Sequence, residues 1–186
     1  MIEGGNLKRP NFIISIVALI LVLSVGGCSS GLSDAKLAYN YGTNSSKQGL
    51  YAEAIQNFDK AIQLDAEYAK AYNNRGNSYA NLGQYQRAIE DFDKAIQLDP
   101  DYATAYNGRG AAYSWLDQYQ RAIQDYDKAI QLNPDTLAYY NRGAAYGDLG
   151  QDQRAIQNYD KAIQLDPDYA KAYNNRDIAY RNLGQY

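Results

Sequence analysis

From Ala69 onward, apolar residues recur at helical spacing in paired runs. Ala71, Tyr72, Tyr79 and Leu82 mark the first run, Gly83 interrupts, and Tyr85, Ala88, Ile89, Phe92, Ala95, Ile96 and Leu98 mark the second. The spacing predicts two amphipathic helices joined by a tight turn. Proline cannot continue a helix and pushes the residue before it out of the helical region, so Asp99-Pro100 is read as the stop. The same pattern returns over 103–135 and 136–169, more loosely over 35–68, and as half a copy over 170–186. Small residues stand where two helices must approach closely: Gly76 on the first, Ala88 and Ala95 on the second. Neither helix can bury its apolar face alone, so successive copies are expected to stack into a solenoid with a continuous outer surface.

The repeat resembles the tetratricopeptide repeat (TPR), whose 34-residue pattern has an aromatic at position 4, Gly at 8, Tyr at 11, Ala at 20, an aromatic at 24, Ala at 27 and Pro at 32. Block 69–102 supplies Tyr72, Gly76, Tyr79, Ala88, Phe92, Ala95 and Pro100; block 103–135 supplies Tyr106, Gly110, Tyr113, Ala122, Tyr126, Ala129 and Pro134. Block 136–169 supplies Tyr139, Gly143, Tyr146, Ala155, Tyr159, Ala162 and Pro167. The resemblance implies an all-α fold over 35–186, a right-handed superhelical solenoid of antiparallel helix pairs. It would hold about four TPR units and a C-terminal half repeat or capping helix.

The departures from the pattern carry their own expectations. Block 103–135 is one residue short, and the alignment places the deletion in the loop after Pro134. Block 35–68 has Ala38, Ser45 and Ala66 in place of Tyr, Tyr and Pro, as an atypical terminal repeat would. Arginine replaces the family's leucine at position 7, giving Arg75, Arg109, Arg142 and Arg176. Guanidinium groups stack on rings and pair with carboxylates, so a structural ladder over neighbouring tyrosines or with Asp93, Asp127 or Asp160 is expected; ligand contact is the other reading. Asp177 stands at the glycine position of the last, partial block, which fits a solvent-facing cap and equally a truncated frame.

The N-terminal residues follow a different rule. Lys8 and Arg9 precede a 14-residue apolar run from Phe12 to Val25, then Gly26, Gly27 and Cys28. The run fits a signal-peptide core and is shorter than the roughly 20 residues that span a bilayer. Val25-Gly26-Gly27-Cys28 resembles a bacterial lipobox, which implies cleavage of 1–27 and lipidation of Cys28, with 28–34 as the lipidated cysteine and a short tether. An uncleaved membrane anchor is the alternative. Either way the repeats would be held at a membrane in the cell envelope. In a diderm host Ser29 favours the outer membrane, facing the periplasm.

Composition then narrows the chemistry. The chain has 21 acidic and 18 basic residues; removing 1–27 takes one acid and two bases, leaving 20 against 16. This mild acidity disfavours nucleic acid, which needs a concentrated basic face. There is no histidine, hence neither the commonest general base nor the commonest transition-metal ligand. Cys28 is the single cysteine, so an intramolecular disulfide is excluded. Most carboxylates recur with the repeat, as Asp59, Asp93, Asp127 and Asp160 do, which suits a solvated face better than an acid–base pair. The chain is expected to be no enzyme, with no cofactor, no metal and no small-molecule substrate.

In TPR proteins the first helix of each pair lines a concave groove through positions 2, 5, 6, 9, 12 and 13. The resemblance therefore implies a groove of Lys70, Asn73, Asn74, Asn77 and Asn81, then Thr104, Asn107, Ser114 and Trp115. It continues with Leu137, Tyr140, Asn141 and Asp148, and ends with Lys171, Asn174, Asn175, Arg181 and Asn182. Asparagine is a poor helix filler, so its recurrence calls for a reason. Asn74, Asn141 and Asn175 at position 6 could grip a peptide main chain, each amide offering a donor and an acceptor; ordinary family bias is the plainer reading. Gly108 breaks the series. Trp115, the single tryptophan, reads either as a groove anchor beside Tyr140 or as core. The carboxylate clamp of some TPR domains is mostly missing: Lys70 and Lys171 hold its position 2, but position 5 has no lysine and position 6 no arginine. The expected function is a membrane-anchored scaffold that binds a peptide segment of a partner protein and assembles or localises an envelope complex. The alternatives are an adaptor of a cell-wall enzyme and a self-associating structural solenoid.

Overall fold

A computed structural model describes residues 32–185. Nine helices and no strand occur among the described residues: α1 (32–47), α2 (Tyr51–Leu64), α3 (Ala69–Asn81), α4 (Tyr85–Leu98), α5 (Ala103–Trp115), α6 (Tyr119–Leu132), α7 (Thr136–Asp148), α8 (Asp152–Leu165) and α9 (Ala170–Asn182). From α2 on each helix packs on the next, α1 meets α2 through Tyr39 and Gly42 against Phe58, and α3, α5, α7 and α9 also touch in sequence, so the first helices of these successive repeats form one continuous layer. This is the all-α solenoid expected. No helix among the described residues is long and apolar enough to cross a membrane. Cys28 and the segment 1–27 lie outside the described residues. The last three residues of the expected tether, 32–34, are helical, and Ala35 and Ala38 are buried.

The periodic small residues do what their size permits. The alanines at positions 20 and 27 are buried from Ala54 to Ala162, as are Ala71, Ala105, Ala138 and Ala172 at position 3. Phe58, Phe92, Tyr126 and Tyr159, at position 24, fill the centre of each repeat. Their rings press on the position-8 glycines: a Cβ added at Gly110 would come within 2.7 Å of Tyr126. The turn between paired helices needs a left-handed residue. Glycine supplies it in the other repeats, and in the third Asp117 takes it at φ 58°, accepting a hydrogen bond from the Tyr119 hydroxyl at 2.8 Å.

The one-residue deletion sits where the alignment placed it. The helices α3, α5 and α9 have a tyrosine at the N-cap with no side-chain cap. In α7 that tyrosine is gone and Asp135 takes the cap, its carboxylate accepting from the Ala138 N–H at 2.9 Å.

Burial of Tyr126 and Tyr159 has a consequence at high pH. Desolvation pushes each phenol up to about 12, with Ser114 pulling Tyr126 the other way. The folded value lies above the ordinary 10.0, so this stability is fully present below pH 10 and is lost as pH rises through 12. Each phenol should cost about 1.4 kcal/mol per pH unit across that window. Urea midpoints measured between pH 9 and 12 should fall, and Tyr126→Phe should make the decline measurably shallower.

Candidate protein-binding groove

The groove is built from α3, α5, α7 and α9, and its polar side chains are set by two ladders. The first is ionic. Arg75 donates from Nε and Nη2 to both oxygens of Asp91, at 2.8 and 2.6 Å, and from Nη1 to Asp59 at 2.5 Å. Arg109 repeats this with Asp125 and Asp93, Arg142 with Asn158 and Asp127, and Arg176 with Asp160. Each guanidinium also lies over the position-4 ring of its own repeat, 5.2 to 5.5 Å from the centroid. Both structural readings of these arginines therefore hold together. Burial alone would lower the Arg75 guanidinium, but the hydrogen bonds and charges of Asp91 and Asp59 overcome it and hold it firmly protonated. Burial in turn raises the Asp91 carboxyl against the pull of Arg75.

Asp91 and Asp125 are the residues missed by reading the sequence. They stand at position 23, two before the aspartates expected to pair, and they are the buried partners: their side chains are 7% and 8% exposed against 51% for Asp59. The recurrence of Asn57, Asp91, Asp125 and Asn158 in one register was the available signal.

The second ladder is made of amides. Each position-6 asparagine donates to the side chain at position 5 of the repeat before it: Asn74 to the Tyr39 hydroxyl at 3.0 Å, Asn141 to Asn107 Oδ1 at 3.2 Å, Asn175 to the Tyr140 hydroxyl at 3.1 Å. Half of each amide thus joins one repeat to the next. Gly108 removes one rung. Asn73 donates to Asn74 at 3.0 Å, but its own Oδ1 is buried with no partner, because the residue that would donate to it is Gly108. The space is taken by Phe92, whose ring would lie 2.6 Å from a Cβ at 108.

Other groove residues remain open. Lys70, Asn77, Asn81, Lys171 and Asn174 are exposed; Asn81 donates back to the Asn77 carbonyl at 2.8 Å. Arg181 is exposed and pairs with Asp177 at 2.8 Å, so Asp177 is on the surface. Trp115 is not core: it is 69% exposed. Its ring stacks on Tyr85, centroids 5.6 Å apart and planes within 3°. Tyr140 instead packs on Tyr159 and Tyr169. Asp148 lines a pocket of about 280 Å³ between α7, α8 and α9, with Asp152, Tyr159, Asn175, Ile178 and Asn182 among its walls. No group of histidine, cysteine or carboxylate side chains among the described residues could hold a metal ion.

Sequence profiles place the chain on the same footing. The tetratricopeptide repeat profile matches 69–102, 103–136 and 136–169, and a second TPR repeat profile matches 47–83. No curated protein sequence matches the chain significantly. Among solved structures, the MamA protein is 30% identical with a TM-score of 0.72, over 81% of this chain and 83% of that one. YrrB, described as a TPR protein with an unusual peptide-binding site, is 26% identical with a TM-score of 0.66, over 81% and 78%. The first TPR of Spaghetti (RPAP3), solved bound to the HSP90 peptide SRMEEVD, is 30% identical with a TM-score of 0.62, over 65% and 97%.

Proposed function

Because the chain belongs to the tetratricopeptide-repeat family, we propose that it is a protein–protein interaction scaffold whose first-helix groove holds a segment of a partner chain. Trp115 carries this reading. A large ring is kept exposed on a groove helix and braced by Tyr85, while the deeper amides and guanidinium groups bind one another. Exposed, rigid aromatics are the usual anchors of protein contacts. YrrB, with its peptide-binding site, and the RPAP3 repeat, solved with a bound peptide, agree with such a role. The scaffold acts by binding, without chemistry of its own, and works at the cell envelope, tethered through a lipid on Cys28; the lipobox-like Val25-Gly26-Gly27-Cys28 supports the tether.

One experiment addresses both parts. The protein is recovered from its host after crosslinking in cells from the exposed Asn81 position on the same groove edge, and its mature N-terminus is weighed by mass spectrometry. Trp115→Ala should leave the melting temperature nearly unchanged, as a surface substitution does, and weaken capture of the crosslinked partner by about 2 kcal/mol or more, roughly thirtyfold. Unweakened capture refutes the anchor. An N-terminus at Cys28 carrying acyl mass supports the tether, and an intact Met1 sinks it.

A further inference from the structure

The last turns of α3, α5, α7 and α9 carry Asn81, Trp115, Asp148 and Asn182 in one register along the groove edge. Around the open ring of Trp115 this edge is acidic. Asp117 follows in the turn, Asp148 lies one repeat on, and Asp152 begins α8. The pocket of about 280 Å³ places Asp148 and Asp152 on its walls with the apolar Ala144, Ile178 and Tyr159. Burial first, and then the charge of Asp117, raise the Asp148 carboxyl.

Asp117, Asp148 and Asp152 enter none of the ion pairs among the described residues. The partners these carboxylates have are neutral: Asp152 accepts from the Asn182 amide at 3.0 Å and Asp117 from the Tyr119 hydroxyl at 2.8 Å, while Arg121 lies over the Tyr113 ring and donates to Gln118. Arg181 is engaged by Asp177, and Arg154 lies 5.5 Å over the Tyr146 ring and donates to Gln151. Lys70 and Lys171 stand in the first turns of their helices, about 16 Å along the axis from this edge at 1.5 Å per residue.

We propose that this end of the groove selects a basic segment: a lysine or arginine side chain enters the pocket between Asp148 and Asp152, and a second cationic or planar group lies on the free face of Trp115. Three features fit one occupant. The carboxylates supply the charge, Ile178 and Tyr159 cover an aliphatic stem, and the indole face attracts a cation. A partner presenting an acidic segment would meet repulsion here, and like-charge contact is a strong means of excluding wrong partners. The inference rests on the groove reading and adds the chemical class of the partner.

The test is a selection of random phage-displayed nonapeptides on the purified full chain in mild detergent. The wild-type pool should be enriched in lysine and arginine by about threefold or more and depleted in aspartate and glutamate. The pool from Asp148→Asn/Asp152→Asn should lose that bias, with its melting temperature confirming an intact fold. For a selected peptide, Trp115 fluorescence should report an affinity that falls about tenfold when its lysines become glutamine. A Trp115-dependent pool with no basic bias, or a bias that survives in the double variant, overturns this inference and leaves the groove reading standing. A failure to select any Trp115-dependent peptide overturns both.

Discussion

Arg109→Leu is expected to lower stability by about 2–4 kcal/mol and the melting temperature by about 5–15 °C, read by circular dichroism during thermal and urea unfolding. The cost comes from what is left behind. Asp125 has an 8% exposed side chain and receives two hydrogen bonds from Arg109, at 2.8 and 2.6 Å. Without the guanidinium it is a buried carboxylate with neither its charge partner nor those donors, and such a removal is far costlier than the pair itself is worth. The second partner behaves differently. Asp93 is 52% exposed, so water takes over its solvation and Asp93→Ala should cost no more than about 1 kcal/mol. Arg109→Leu/Asp125→Leu should recover most of the loss, since the double change removes the orphaned charge and fills the space with apolar atoms. A double variant no more stable than Arg109→Leu alone would show that the cost lies in packing over the Tyr106 ring instead.

Phe92→Ala should cost about 3–5 kcal/mol, visible as a shift in the urea midpoint without loss of the far-ultraviolet helical signal at low denaturant. Phe92 is fully buried and touches the two glycines that face it from neighbouring helices, Gly76 and Gly108. Its removal opens a cavity at the joint between the second and third repeats. That joint is also where the amide ladder lacks a rung and Asn73 Oδ1 is unpaired. The solenoid has only nearest-neighbour interfaces to hold it, so a defect at one joint uncouples the halves on either side. Local opening should therefore appear first in hydrogen exchange of α3 to α5. Protection lost uniformly from α2 to α9 would contradict this placement.

Much of this molecule was legible because a repeat tests each reading several times. The paired helices and their stops, the small residues at positions 8, 20 and 27 where helices approach closely, and the site of the deletion after Pro134 all followed from one register. The candidate groove was legible only as a set of positions. Its asparagines read as free amides for a ligand, yet Asn74, Asn141 and Asn175 each spend a donor on the preceding repeat. Trp115 read as a neighbour of Tyr140 and lies instead on Tyr85. Asp91 and Asp125, two residues from the aspartates expected to pair, proved to be the buried ends of the arginine ladder.

The sequence by itself determined the period, and with it the helices, their turns and the small residues that let them pack, because these depend on spacing within one chain segment. Only the tertiary structure decided which polar group meets which. That depends on how far each repeat is shifted and rotated against the next, a displacement set by the summed packing of many side chains and carried by no single residue. The same displacement leaves Gly108 and Phe92 sharing one space, strands Asn73, and turns the Trp115 ring outward at the acidic edge of the groove.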